Sequence, residues 1–227
     1  RDFVSVAPDD LAVWVVLRKA PPLPFLAPEV HGTEVLVLAV FYAGDMEKGK
    51  KLVEPLRGFE DPLAFAVTPH QYTAFQSAFD PLLTPGARNY WKSHDLSELS
   101  DGAIDTVLEY AGKLPSPHCE TFLGHLGGAM GRVPPDQTAY PHRDANFVMN
   151  VHSRWERPGQ DQECIGWARD CFRAVEPFST GGVYVNFLTQ DEQERVRMAY
   201  KGNYERLVRL KKKYDPDNFF RMNHNIV

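Results

Sequence analysis

Three short stretches concentrate the side chains that can do chemistry. "TAYPHRDANF" sets Tyr140, His142 and Arg143 within four residues, in a proline-bounded loop. A guanidinium binds a carboxylate or carbonyl through a fork of donors, and an imidazole exchanges protons near neutral pH. The same loop is equally well explained as a structural turn, with Arg143 tied to Asp144 or Asp136. "RNYWKSHD" reads as a strand on which Tyr90, Lys92 and His94 share one face and Trp91 takes the other. One of those faces belongs to a core and the other is free to line a cavity. "GGVYVNFL" reads as a further strand with Tyr184 and Asn186 on one face. A phenol beside an amide suits polarisation of a substrate hydroxyl, and two satisfied buried polar groups are the alternative.

Other chemistries lack the residues they need. "GHLGGAMG" misses the first spacing of a dinucleotide-binding Gly-x-Gly-x-x-Gly loop, and Arg132-Val-Pro-Pro135 prevents the helix that should follow. A bulge or a close backbone approach is the better reading there. No His-Glu-x-x-His, Cys/His ladder or carboxylate loop is present, so no metal is expected. There is no Gly-x-Ser-x-Gly elbow, and nothing marks Cys119, Cys164 or Cys171 as an activated thiolate.

The elements that must carry these residues follow from periodicity. "LAVWVVLRKA" and "TEVLVLAVFYAG" are β-branched strands joined by a proline-rich loop. "DMEKGKKLVEPL" reads as a helix capped by Asp45 and stopped by Pro55, and "PLAFAV" as a candidate strand. "TPHQYTAFQSAFD" has helical spacing at Tyr72, Phe75 and Phe79. A helix with Ile104, Val107, Leu108 and Ala111 on one face ends near Gly112. "CETFLGHLGGAMGRV" and "ANFVMNVHSRW" are strands flanking the Tyr140 loop. The helix that follows puts Ile165, Ala168, Phe172 and Val175 on one stripe. Thr189 and Glu192 have capping-box spacing, and a closing helix starts near Asn203. Strand pairs with helices between them, without regular βαβ alternation, define an α+β fold with a largely antiparallel sheet and helices on one face.

Composition limits the partners. The chain has 227 residues, 43% of them hydrophobic, and a formal net charge of -5. An acidic chain of this kind is not a dedicated nucleic-acid binder. The basic run from Arg206 to Lys213 lies late in the closing helix, where cations favour the negative end of the helix dipole. No apolar run is long enough to span a bilayer, and three unpaired-looking cysteines fit a reducing, cytoplasmic setting. The chain opens on "RDFVSVAPDD", without Met and in mid-pattern, as the downstream part of a longer polypeptide would.

The closing segment is also the most specific motif. "GGVYVNFL…YKGNYERLVRLKKKYDPDNFFRMNHNI" resembles the C-terminal segment of the berberine bridge enzyme-like FAD-dependent oxidases. Their Tyr-x-Asn-Tyr, Tyr-x-Gly, Arg-Leu-x-x-x-Lys, Asp-Pro-x-Asn-x-Phe and Asn-x-x-Ile pattern falls on Tyr184, Asn186, Tyr200, Gly202, Arg206, Leu207, Lys211, Asp215, Pro216, Asn218, Phe220, Asn223 and Ile226. "HLGGAMGRVPPDQTAYPHRDANF" and "RNYWKSH" look like the substrate-domain loop and pocket strand of bacterial members.

The resemblance implies a two-part flavoenzyme. Residues 1–180 are expected to form the substrate-binding α+β domain. Residues 181–227 are expected to form a terminal segment that packs on the chain's own upstream FAD-binding domain, a domain absent here. It implies FAD held mainly by that domain, hydride transfer from a hydroxyl- or amine-bearing small molecule to flavin, and O2 as acceptor. Tyr184 becomes the candidate base, Asn186, Asn223 and Asn225 the candidate flavin contacts, and Trp91, Lys92, Tyr140, His142 and Arg143 the candidate substrate contacts. This chain departs from the family at Phe187, where a second tyrosine is common, and at His224, where Gln is common. Alone, the chain is expected to be inactive, and a homodimer is possible. The rival reading is a stand-alone ligand-binding α+β domain without redox activity.

Overall fold

A computed structural model describes residues 1–58 and 60–227. Its centre is a five-stranded antiparallel sheet of β1 (Leu11–Lys19), β2 (Glu34–Tyr42), β3 (Arg88–Leu96), β4 (Glu120–His125) and β5 (Phe147–Trp155). The strand order is β2-β1-β4-β5-β3, which leaves β2 and β3 as edges. Four main helices accompany it: α1 (Met46–Arg57), α2 (Asp101–Ala111), α3 (Asp161–Val175) and α4 (Tyr204–Tyr214).

Alternation along the strands decides which face the helices cover. Leu17 of β1, Leu123 of β4 and Met149, Val151 and Trp155 of β5 point one way and pack with Val107 and Ala111 of α2 and with Cys164, Ala168, Cys171 and Val175 of α3. Val53 of α1 packs on Leu11 and Val13 at the other end of the same face. Each large apolar side chain buried there contributes about 1.5–3 kcal/mol. Burial pushes the Cys164 and Cys171 thiols up to about 12, so both serve as small core residues.

The Asp45 cap agrees with the sequence, and the structure adds a second at Ser100. The Asp45 carboxylate accepts from the Lys48 amide at 2.9 Å at the start of α1, and the Ser100 hydroxyl accepts from the Ala103 amide at 3.3 Å at the start of α2. The stripe of α3 is rotated from expectation: Cys164, Trp167 and Cys171 are buried with Ala168 and Val175, while Ile165 and Phe172 are partly buried.

Five expectations need correction. Pro55 lies within α1 rather than ending it. A proline in the last turn removes one amide bond, and the helix closes at Gly58. "PLAFAV" forms no strand, since Pro62 and Pro69 bracket it and Leu63, Phe65 and Val67 stay exposed. The helix around Tyr72 is one turn, Tyr72–Gln76. The strand ending at His125 does not continue through the glycines; Gly127 and Gly128 take φ of 140° and 57° and open a four-residue helix.

The fifth correction bears on the site. "GGVYVNFL" is not a strand. It meets the β3 edge through two backbone bonds, Thr180 N–H to Asp95 O at 2.8 Å and Asp95 N–H to Gly182 O at 3.4 Å. It then turns into a 3₁₀ turn, Val185–Phe187. From there the chain builds a second apolar cluster of Val183, Leu188, Val196, Ala199 and Tyr204, joined by Val208 and Ile226.

Candidate functional site

The sheet face away from the helices carries a different population. Cross-strand register aligns Arg18 with Glu120, Glu120 with His152, and His152 with Trp91, a row running across four strands. Arg18 Nη1 donates to Glu120 Oε2 at 2.8 Å. His152 Nδ1 lies 3.4 Å from Glu120 Oε1, and its Nε2 lies 3.2 Å from Asn89 Oδ1. Burial pushes the Glu120 carboxyl up, but the hydrogen bond from His152 and the charge of Arg18 more than reverse this, so it ends below the ordinary range. Asn150, two residues before His152 on the same face, is buried with its Nδ2 unpartnered.

An aromatic path leads from this row to the loop and the closing segment. Trp91 meets His152 edge-on at 4.7 Å and Phe187 at 6.0 Å. Phe187 meets Tyr184 at 5.2 Å, Tyr184 meets Tyr140 at 6.1 Å, and Tyr140 meets His142 at 5.7 Å. Arg143 lies over the Tyr140 ring at 4.9 Å. Stretches that stand far apart in sequence therefore converge: Trp91, Tyr140, His142, Arg143 and Tyr184 occupy one continuous region.

Within it, Asn186 Nδ2 donates to Tyr184 Oη at 2.7 Å. The pairing expected of a strand survives in the 3₁₀ turn, by another geometry. Burial pushes the Tyr140 phenol up to about 12, assisted by the Asp95 charge and opposed by Arg143. That hydroxyl is suited to donate a hydrogen bond and unsuited to take a proton. Arg143 is tied down, though by neither Asp136 nor Asp144: Nη1 donates to Met130 O at 2.9 Å and Nη2 to Thr138 Oγ1 at 2.6 Å.

Lys92 lies on the opposite face, at the helix layer. Its Nζ sits 3.2 Å from Glu192 Oε2 and 3.4 Å from Asp191 Oδ1, inside a buried network with Arg195. Tyr90 donates to Asp191 Oδ2 at 2.7 Å. Burial alone would raise Asp191, but hydrogen bonds from Thr189 and Tyr90 and the Lys92 charge hold it far below the usual carboxylate range. The Thr189 amide donates to Glu192 Oε2 at 3.1 Å, completing the expected capping contact. His94, also on this face, stacks on Phe172 at 4.0 Å.

The closing tail is pinned at its ends and open between them. Lys211 donates to Asp215 and to the Phe220 carbonyl, while Asp215 accepts from the Phe219 and Phe220 amides at 2.7 and 3.0 Å. Tyr204 Oη donates to Val227 O at 3.2 Å, and His224 Nε2 donates to Leu188 O at 3.2 Å. Between these anchors Phe219, Phe220 and Met222 are exposed by 76–84%. Asn223 adopts a left-handed φ of 59°, and the Asn225 Oδ1 is buried without a partner. Among the described residues no three His, Cys, Asp or Glu side chains come together as a metal site. None of their helices is long and apolar enough to cross a membrane.

A five-stranded antiparallel sheet, helices on one face, and a terminal segment folded beside the sheet edge form the architecture of one half of the FAD-linked berberine bridge enzyme-like proteins. Residues 183–227 match the family model described as berberine and berberine like. The chain is 31% identical over 214 residues to the uncharacterised FAD-linked oxidoreductase YgaK of Bacillus subtilis, covering 92% of this chain and 46% of that protein. It is 29% identical over 199 residues to an FAD-linked oxidoreductase of Dictyostelium discoideum, covering 85% and 42%. The fold also superimposes on berberine bridge enzyme from Eschscholzia californica with a TM-score of 0.75 at 19–20% identity, over 97% of this chain and 49% of that one. The chain thus carries the berberine and berberine like segment at residues 183–227 and is similar to FAD-linked oxidoreductases over most of its length, and it spans about half the length of the curated relatives it matches.

The row Arg18, Glu120, His152 and the neighbouring Asn150 were not singled out by sequence reasoning. Only alternation on β5, with Asn150 and His152 one step apart in phase, hints at a polar face there. Their alignment with Arg18 and Glu120 is a property of strand register.

Proposed function

We propose that this chain is the substrate-binding and C-terminal part of an FAD-linked oxidase acting on a hydroxyl- or amine-bearing small molecule. Its partner is an FAD-binding domain of the same polypeptide. Residues 1–180 carry the substrate face and residues 181–227 dock on that domain. The observation that carries this reading is the Asn186 to Tyr184 hydrogen bond at the end of the aromatic path from Trp91.

The residues fit the cofactor. An orphaned, buried Asn225 oxygen is an acceptor for a ring N–H, and leaving such a group unpaired is costly. Asn223, two residues before it, and Asn186 offer further amide groups, and exposed Phe219, Phe220 and Met222 supply an apolar docking surface. When bound, FAD supplies the two-electron acceptor for hydride from the substrate C–H, with O2 as the terminal oxidant and hydrogen peroxide as product. Tyr184 Oη takes the proton of the substrate hydroxyl. The Asn186 amide, donating to the same oxygen, holds it in place. Trp91 and Tyr140 flank the substrate, and the Tyr140 hydroxyl orients it as a donor.

The test screens the full-length protein for peroxide release from primary aromatic alcohols, reducing sugars and 2-hydroxy acids. Tyr184→Phe should lower kcat about 100- to 10,000-fold, as expected on removing a general base, with flavin content unchanged. Unchanged kcat in Tyr184→Phe would exclude the assignment.

A further inference from the structure

One pair of titratable groups at the end of the path holds it together. Asp95 and His142 are both fully buried, with His142 Nδ1 3.5 Å from Asp95 Oδ2. His142 Nε2 lies 3.1 Å from the Ala199 carbonyl oxygen. A carbonyl only accepts, so Nε2 carries a proton. Nδ1 and both Asp95 oxygens have no other partner. Without a further proton, two acceptors face each other in a buried site, which costs about 1–3 kcal/mol per unsatisfied group.

The pair also ties four segments. Asp95 is the penultimate residue of β3, and its backbone makes the two bonds that hold Thr180 and Gly182 at the sheet edge. His142 belongs to the Tyr140 loop and reaches Ala199 in the helix Val196–Tyr200. A Cβ on residue 182 would stand 2.5 Å from His142 Nδ1 and 2.8 Å from Asp95 Oδ2, so glycine is required for this approach. Tyr140 precedes His142 by two residues and Tyr184 follows Gly182 by two. Their facing rings are thus anchored on either side of the same pair.

Resting on the oxidase reading, we propose that Asp95 and His142 share one proton and act as positioning residues that set Tyr140 against Tyr184. Burial pushes Asp95 up to about 6; the Lys201 and Arg195 charges oppose this and Asp144 assists. Burial holds His142 below its ordinary value, with Lys201 acting in the same direction and the bond to Ala199 and the charge of Asp144 against it. Together with the neighbouring Tyr140, these are the titratable and charged groups facing the pair. The raised Asp95 makes the shared proton a stabilising element at low pH, lost as pH rises through about 6. Above that point the two acceptors repel and the loop loosens.

The experiment records side-chain NMR signals of Tyr140 and Tyr184 in full-length protein labelled at tyrosine, from pH 5 to 8. The expected result is one shared one-proton transition with a midpoint near pH 6, mirrored by a tenfold fall in kcat/KM per pH unit above it. Asp95→Asn presents an N–H to His142 permanently and should flatten both profiles while keeping the low-pH tyrosine signals. His142→Phe should shift both tyrosine signals at every pH. Flat wild-type signals, or a transition that persists in Asp95→Asn, would overturn the proposal even if peroxide is released. The NMR transition without turnover would keep the pair and count against the oxidase reading instead. Should Asp95→Asn fail to fold, the wild-type titration and His142→Phe still decide.

Discussion

The two faces of the sheet solve opposite problems. Toward α2 and α3, alternate residues of β1, β4 and β5 fill a continuous apolar core. The charges on that side, Lys92, Glu192 and Arg195, are cancelled within a closed network. Toward the other side, the row from Arg18 to Trp91 is polar and aromatic, and Asn150, Trp91 and Asp95 keep buried polar atoms without partners. The packed face also has unpartnered atoms, His94 Nδ1 and Thr121 Oγ1, but its charged groups are paired internally. On the other face the unpartnered Asn150 amide and Trp91 ring N–H are donors free for a ligand. The comparison teaches that a lysine and a tryptophan adjacent in sequence can belong to different tasks: Lys92 serves the packed face and Trp91 the open one.

The sharpest way to break this contrast is on the packed face. Glu192→Ala removes the one carboxylate between Lys92 and Arg195, two cations of 8% and 12% side-chain exposure. Taking one partner from a buried ion network costs roughly 3–5 kcal/mol. Denaturant unfolding should report that loss. A change below about 1 kcal/mol, the range of exposed ion pairs, would place the network on the surface.

A second, smaller effect distinguishes the faces by pH. Burial lowers His94 to about 4, against its bond to the Phe172 carbonyl. A histidine depressed from 6.5 stabilises the fold fully above 6.5, and that contribution is lost as pH falls towards about 4. The loss reaches roughly 3 kcal/mol. Thermal unfolding of Asp95→Asn should show it between those values, and adding His94→Phe, which keeps the stack on Phe172, should remove that slope. Asp95 on the open face contributes the opposite slope, so the two are separable by Asp95→Asn.

Much of the scaffold was legible in the sequence because it rests on local periodicity. The β-branched runs of β1 and β2, the alternation of β5 and the cap at Asp45 each act within a few residues. Residues 181–188 carry the same β-branched signal, yet form no strand, because their course is set by tertiary contacts. Gly181 turns left-handed at φ 73°, and Gly182 is seated against His142 and Asp95, leaving two bonds to the β3 edge. The candidate site was legible as residue types, not as neighbours. Tyr140, His142, Arg143, Trp91 and Tyr184 do converge. The Arg18–Glu120–His152 row arises from register between distant strands, and Lys92 found its partners in a segment about a hundred residues away. Neither leaves a trace in linear spacing.

The central claim is that the open face and the exposed tail serve a flavin. It is tested most directly by the visible absorbance of the full-length protein, the chain together with all coding sequence continuous with it. The account predicts one oxidised flavin per folded polypeptide, depleted by Phe219→Asp with Phe220→Asp in the tail. A folded, colourless full-length protein that takes up no added FAD would contradict it.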